Sequence, residues 1–237
     1  KKKRMNRIFQ FLFLTTLVGC NTAPKHNATV SSTVKGLQKG TAYLQKFKDT
    51  KYITVDSLSI KGTEFFVFGC ELLEPEVLYL SLSNEPTAER IEFFASEGNT
   101  TINTSLKRFV YDAKIEGNVQ QKLLNDYRAN LTRFKNKQLE LIEASLNAQR
   151  TSNNQDVIST KNEMEVNLKR QYLYSINYAV SNNDNEVAPY IALSDVYDAN
   201  PKYLDTVYNS LTPRIAASKY GVILKDYIEK IKPELTN

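Results

Sequence analysis

Three carboxylates cluster at one point of the sequence. Glu71, Glu74 and Glu76 surround Pro75 in a stretch that we predict to be a loop. Two carboxylates held close together can act as acid and base on a glycosidic bond. The sequence supplies no partner base or platform for them, and Trp, the usual sugar-stacking side chain, is absent. Solvated loop charges are therefore the simpler interpretation, and a carboxylate-based hydrolase is kept as one hypothesis.

Side chains for nucleophilic and metal chemistry are scarce. The only histidine is His26, which lies in a predicted tether. A Ser-His-Asp triad would therefore lack its base. Zinc sites of the His-Glu-x-x-His type need two histidines, and sites built from cysteine pairs need more thiols than this chain has. We predict no catalytic residue, no metal site, no cofactor and no enzyme activity.

A charged start and an apolar run precede the first cysteine. Five Lys and Arg lie within residues 1–7, and residues 8–19 are mostly apolar. This order is typical of a signal peptide, and the run is shorter than the roughly 20 residues of a membrane span. It ends in Leu17-Val18-Gly19-Cys20, which resembles the lipobox of bacterial lipoproteins. We predict a lipoprotein signal peptide over residues 1–19 and a lipid anchor on Cys20.

Loss of the leader removes the net charge. The chain has 31 Lys and Arg against 26 Asp and Glu, so subtracting the five leader cations leaves 26 against 26. A neutral chain has no excess of cations for nucleic-acid phosphates, and we exclude nucleic acid as a partner. The anchor predicts a membrane partner and a bacterial envelope location. Because residues 21–26 lack the acidic residues that resemble surface-export signals, we predict a periplasm-facing position on the outer membrane.

Cys70 is the one thiol left after lipidation. In an exported protein an unpaired cysteine can form a mixed disulfide with a partner. A small buried hydrophobic residue at the end of a strand is the alternative, because reactivity needs exposure and a lowered pKa. The sequence leaves both interpretations open.

Tyrosines concentrate in the last third of the chain, where nine of the 14 lie between Tyr172 and Tyr227. Five of them could line a peptide or glycan groove: Tyr172, Tyr174, Tyr178, Tyr190 and Tyr197. Their helical spacing favours a different role, in which the rings pack inward and the hydroxyls stay at the rim.

The elements that must position these residues fall into two regions. Residues 20–32 are polar and predict a flexible tether. Residues 33–117 predict a β domain with these strands: Thr41–Phe47, Tyr52–Ile60, Phe65–Gly69, Val77–Leu82, Ile91–Ala95 and Thr100–Leu106. Lys61-Gly62 is a predicted hairpin turn. Short strands at near-regular spacing indicate an antiparallel β-sandwich or open barrel.

Residues 118–237 predict a helical region. Apolar and aromatic side chains recur at alternating spacings of four and three, as in Tyr127, Leu131 and Phe134, and again through Leu168 and Tyr172. Asn200-Pro201 and Thr212-Pro213 are typical of helix starts, with an N-cap followed by proline. The predicted fold class is therefore α+β, with the β domain first and the helical segment after it.

Short pieces of the sequence, in this order and spacing, resemble a known family: Val34-Lys35-Gly36-Leu37, Val55-Asp56-Ser57, Phe66-Val67-Phe68-Gly69, Glu74-Pro75-Glu76, Phe93-Phe94, Glu97-Gly98, Ile115-Glu116-Gly117-Asn118, Ala188-Pro189-Tyr190 and Ser218-Lys219-Tyr220-Gly221. The pattern resembles the N-terminal domain of unknown function of thioredoxin-like thiol-disulfide oxidoreductase lipoproteins. The resemblance runs from about Val34 to Lys232.

That resemblance implies a thioredoxin fold with a Cys-x-x-Cys pair after the last helix, and the sequence printed here holds no such module. It departs from the pattern at Glu97-Gly98, which stands one residue further from the phenylalanine pair, and at Cys70, where the family usually has a polar residue. No catalytic position therefore carries over.

Three hypotheses follow. The first is a non-enzymatic envelope lipoprotein whose β domain and helices bind or scaffold another protein, peptide or glycan. The second is an accessory component of periplasmic thiol-disulfide exchange that acts with a separate thioredoxin-fold partner. The third is the carboxylate-based hydrolase.

Overall fold

A computed structural model describes residues 26–234 of the chain. It contains eight strands followed by six helices: β1 (Ala28–Lys35), β2 (Lys39–Lys48), β3 (Lys51–Lys61), β4 (Phe65–Cys70), β5 (Glu76–Ser81), β6 (Arg90–Ala95), β7 (Gly98–Ser105), β8 (Lys114–Glu116), α1 (Val119–Arg150), α2 (Asn154–Ser181), α3 (Val187–Asp195), α4 (Pro201–Ser210), α5 (Pro213–Ala216) and α6 (Lys219–Glu234).

The strands form two four-stranded sheets. The first sheet has the order β4-β1-β7-β8 and the second the order β3-β2-β5-β6. Their inner faces share one apolar core, which includes Val30, Phe68, Leu80, Phe93 and Ile102. The predicted α+β class is confirmed. One detail departs from the antiparallel prediction, because β1 runs parallel to β7 while every other ladder is antiparallel.

Strand β1 begins at Ala28, so residues 28–32 belong to the β domain and not to the predicted tether. Along this strand Ala28, Val30, Ser32 and Val34 are buried, and the residues between them face outward. The outward residues are Thr and Ser, which made the segment look polar in the sequence. Its alternation of two is that of a half-buried strand.

Lys61-Gly62 is not a hairpin turn, which corrects the prediction. It links β3 in the second sheet to β4 in the first sheet. The hairpin lies one turn earlier, between β2 and β3, where Asp49 and Thr50 have φ angles of 48° and 65°. Two positive φ angles in succession match the primed turns that suit the twist of a two-stranded ribbon. The turn has no glycine to mark it in the sequence.

Two long helices, α1 and α2, form an antiparallel hairpin. Asn118 caps α1 by accepting the Gln121 N–H at 2.8 Å. Within the hairpin the predicted inner position of Leu168 is exposed, and Asn167 is buried in its place. The Asn167 amide donates to the Phe134 carbonyl at 3.0 Å, which satisfies this polar side chain between the helices.

The two predicted helix starts at prolines differ in outcome. Asn200 accepts the Lys202 N–H at 3.0 Å and caps α4 as predicted. Thr212-Pro213 starts only the single turn α5, and the last helix begins at Lys219. The break falls at Ser218, whose hydroxyl donates to the Ile215 carbonyl at 2.7 Å. A carboxylate from the β domain then supplies the first partner of α6, as described below.

Helices also cover part of the outer face of the second sheet. Val77 and Phe94 on that face share a core with Leu124, Tyr127 and Ile191. This contact joins the β domain and the helices, which have a further apolar core of their own around Ala192, Leu204 and Leu224. In the described part of the chain, no helix is both long and apolar enough to cross a membrane.

Candidate functional site

A cleft of about 470 Å³ lies between the outer face of the second sheet and helices α3 and α6. We call it the interface cleft. Its walls are mainly apolar and aromatic, and they include Phe47, Val77, Tyr79, Tyr190, Tyr220 and Ile223. Concave sites lined by apolar and aromatic side chains with a few polar groups are typical of binding sites in proteins.

The interface cleft exists because strand β2 leaves its neighbour β5. The β2–β5 ladder covers only three pairs, from Tyr43 opposite Ser81 to Gln45 opposite Tyr79. The β2–β3 ladder shifts register between Leu44 and Gln45, and such a bulge bends the strands. Phe47, which continuous pairing would place opposite Val77, instead lies on the wall of the cleft.

Helix α6 supplies a hydrogen-bond partner for the edge of β5 that β2 leaves unpaired. The Val77 N–H donates to the Tyr220 hydroxyl at 2.8 Å, across 143 positions of the sequence. Burial raises the pKa of Tyr220 far above its usual range, so this hydroxyl stays neutral. Tyr190 and Phe94 pack edge to face against the same ring, with centroids 5.2 and 5.9 Å away. The back of the cleft is therefore a fixed aromatic cluster.

The opposite rim carries a second aromatic cluster. Phe47 and Tyr52 lie 5.1 Å apart, and Tyr52 contacts Tyr79 edge to face at 5.0 Å. The guanidinium of Arg90 stands 3.8 Å above the Tyr52 ring. A cation over an aromatic face is attracted by the ring quadrupole, so Arg90 fixes the position of Tyr52.

An ion pair lies beside the aromatic residues. Glu92, which lines the cleft, accepts a hydrogen bond from Arg128 of α1. Burial is the largest single effect and would lower the pKa of Arg128. The charge of Glu92, its hydrogen bond and the nearby Tyr190 and Asp195 together outweigh burial, so the pKa is raised. Burial and the Glu92 charge also raise the pKa of Tyr190 far above its usual range. The polar groups of the cleft thus include this ion pair and the hydroxyls of Tyr190 and Tyr220, which burial keeps neutral.

The acidic loop of the sequence lines a neighbouring cavity of about 520 Å³, together with Lys46, Leu73 and Lys219. Both carboxylate oxygens of Glu74 lie 3.0 Å from the Lys219 N–H, so this side chain caps α6. Glu76 forms an ion pair with the Lys219 ammonium, and Lys46 approaches it at 3.8 Å. Glu74 and Glu76 therefore join the β domain to α6.

The Cys70 side chain lies in the core between the two sheets and is 3% exposed. Burial, and secondarily the charge of Glu76, raises the pKa of its thiol. A reactive thiol needs the opposite of both properties. Cys20 and the rest of the lipobox, Leu17, Val18 and Gly19, lie outside the described residues.

The five tyrosines predicted to line a groove occupy separate places. Tyr174 and Tyr178 face α1, where their hydroxyls donate to the carbonyls of Tyr127 at 3.2 Å and Leu123 at 2.8 Å. Tyr172 donates to Asp198 at 2.8 Å, and Tyr197 is exposed. Of the five, Tyr190 alone lines the interface cleft.

Sequence reasoning missed most residues of the interface cleft. Tyr79 and Glu92 lie on the outer face of strands that were correctly predicted, but nothing in the sequence says that helices cover that face. Tyr220 was assigned to a helix without a functional role. Among residues 26–234 no group of three His, Cys, Asp or Glu side chains is placed to hold a metal ion.

Comparison with known families bears on the β domain. Residues 28–124 match a family described as Domain of unknown function (DUF4369). The match spans all eight strands and the first residues of α1, so it agrees with the resemblance to a domain of unknown function. The matched region, residues 28–124, is described only as a domain of unknown function and not as a thioredoxin-like module. No curated protein and no solved structure matches the chain.

Proposed function

We propose that the chain is a non-enzymatic lipoprotein of a bacterial envelope that binds a segment of another protein in the interface cleft. The observation that carries the proposal is the gap between β2 and β5, lined by two aromatic clusters and closed behind by Tyr220. An extended peptide with an apolar side chain fits such a site, because aromatic walls bury apolar surface without a change of fold.

Two features favour binding over the alternative hypotheses. A hydrolase would need carboxylates free to exchange protons, but Glu74 and Glu76 hold α6 against the β domain. A role in thiol-disulfide exchange would need access to Cys70, which the two sheets cover.

The proposal for the envelope rests on the leader and on Leu17-Val18-Gly19-Cys20. Mass spectrometry of the protein from bacterial membranes tests it. We expect an N-terminal Cys20 that carries acyl chains, and a Cys20→Ser variant that is not retained on membranes. An unmodified Cys20 in membrane-extracted protein would remove the anchor from the proposal.

Selection of displayed peptides on the Cys20→Ser chain tests the binding site. We expect bound peptides to lose at least tenfold in affinity, which is about 1.4 kcal/mol, when Phe47 on the rim becomes Asp. Phe65→Asp is the matched control, because Phe65 lies on the outer face of the first sheet and is similarly exposed, at 54% against 48% for Phe47. Equal losses in the two variants, or no selected peptide, would contradict the proposal.

A further inference from the structure

The point at which the chain enters the β domain is fixed to one loop. The Asn27 side chain donates to the Leu72 carbonyl at 2.7 Å and accepts the Leu72 N–H at 2.9 Å. The Asn27 carbonyl accepts the Gly98 N–H at 2.9 Å. The two bonds to Leu72 hold the start of β1 beside the loop of residues 71–75, which we call the anchor loop, and the bond from Gly98 joins it to β7.

The tip of the anchor loop is a leucine that the fold leaves in solvent. Leu73 is 99% exposed, while its neighbour Leu72 is buried in the sandwich core. A fully exposed leucine has all of its apolar surface available to a nonaqueous partner. The tip therefore combines an unburied apolar side chain with a position beside Asn27.

The chain between Cys20 and Asn27 sets how far this loop can lie from a lipid anchor. Seven residue steps span at most about 25 Å when fully extended, and less in any other conformation. The far end of the sandwich is about as far from Asn27 as this chain could reach when fully extended. Strand β1 carries the chain a further 26 Å or so away from Asn27, towards the segment of residues 106–113.

We propose that the anchor loop is the membrane contact of the protein, with Leu73 entering the boundary between lipid headgroups and acyl chains. This inference rests on the lipid anchor of the proposed function. The contact gives the anchored chain a preferred orientation. In that orientation the neighbouring cavity, which is lined by Glu71, Leu73 and Lys219, opens at the bilayer surface.

The chemistry of the loop selects a bilayer rich in zwitterionic lipid. Glu71 and Glu74 flank Leu73, and anionic headgroups would repel them. Phosphatidylethanolamine carries no net charge, so insertion of Leu73 meets no such repulsion.

The test uses the full chain, acylated in a bacterial host and reconstituted into vesicles of phosphatidylethanolamine with a minor fraction of phosphatidylglycerol. A polarity-sensitive dye is attached to Leu73→Cys. Tyr111→Cys is the matched control, since Tyr111 is also highly exposed and lies at the far end of the sandwich. The unsubstituted chain measures background labelling of Cys70, which is buried.

We expect the dye at position 73 to shift its emission to the blue on vesicles and to be quenched by lipids with nitroxide-labelled acyl chains. The dye at position 111 should show neither effect. Equal emission and equal quenching at the two positions would overturn the membrane contact while leaving the anchor intact. Failure of the chain to float with the vesicles would instead contradict the lipid anchor itself.

Discussion

The Tyr220 hydroxyl accepts the Val77 N–H at 2.8 Å, and so a helix supplies the hydrogen bond that a neighbouring strand would otherwise make. Both groups are buried, so the bond also prevents an unpaired donor in the contact between the β domain and the helices. It ties the shape of the interface cleft to the docking of α6.

Removal of this hydroxyl should destabilise the protein. In Tyr220→Phe the Val77 N–H is left buried without its acceptor, which costs about 1–3 kcal/mol. Urea unfolding monitored by circular dichroism measures the loss. The control is Tyr111→Phe on the exposed surface, for which we expect a change within about 0.5 kcal/mol. Equal stability of Tyr220→Phe and the unsubstituted chain would show that the bond contributes nothing.

Separation of Glu92 from Arg128 should also weaken the contact between sheet and helices. Their side chains are 28% and 41% exposed, so the cost of Arg128→Met should lie between those of exposed and buried pairs, at about 1–3 kcal/mol. Lys137→Met is the control, because it breaks the exposed Lys137–Glu140 pair at 3.7 Å and should cost less than about 1 kcal/mol. A Glu92→Gln and Arg128→Met double variant should lose less than the sum of the two single variants.

Alkaline pH should unfold the protein through its tyrosines. Burial raises the pKa of Tyr178 to about 12, and the pKa values of Tyr79, Tyr127 and Tyr220 are also raised. The unfolded value is about 10, so above that pH the unfolded chain holds fewer protons than the folded chain. The stability that the protonated tyrosines contribute to the folded chain is fully present below about pH 10, and it is lost as the pH rises through about 12. Urea unfolding midpoints across this range measure it, and a midpoint that stays constant from pH 9 to 12 would be inconsistent with these shifts.

Thiol labelling should distinguish the two interpretations of Cys70. We expect a maleimide to leave the folded Cys20→Ser chain unmodified for as long as Leu73→Cys in the same chain takes to react completely, because Cys70 is buried and its pKa is raised. Denaturation should expose Cys70 to the same reagent. Rapid labelling of Cys70 in the folded chain would restore the thiol-exchange hypothesis.

The sequence predicted the elements better than their arrangement. Six strands were visible as β-branched and aromatic runs, whereas β1 was hidden by the Thr and Ser of its outer face. The hairpin was misplaced because Asp49 and Thr50 adopt positive φ angles without a glycine.

The interface cleft could not be predicted, since it depends on which sheet face the helices cover. Val77 and Phe94 alternate with core residues of the sandwich, so β5 and β6 carry apolar side chains on both faces, among polar ones on the outer face. Such apolar runs can pack against a sheet or against helices, and the sequence does not indicate which of these covers them. The gap between β2 and β5 depends on one register shift, which leaves no distinctive residue type in the sequence.

The place of β1 between β4 and β7 has a consequence for how the protein acquires its fold. Ala28 pairs with Cys70 on one side and with Gly98 on the other. Strand β1, the first among the described residues, can therefore pair only after much later parts of the chain have been synthesised. Pairing across such separations is slow, because the intervening chain must close a large loop first. We propose that the chain crosses a membrane from its N-terminus. This delay keeps the β domain unfolded, and so able to cross, until β7 is available for pairing. During the same interval the apolar side of β1 is exposed to aggregation, so export should depend on a holding chaperone.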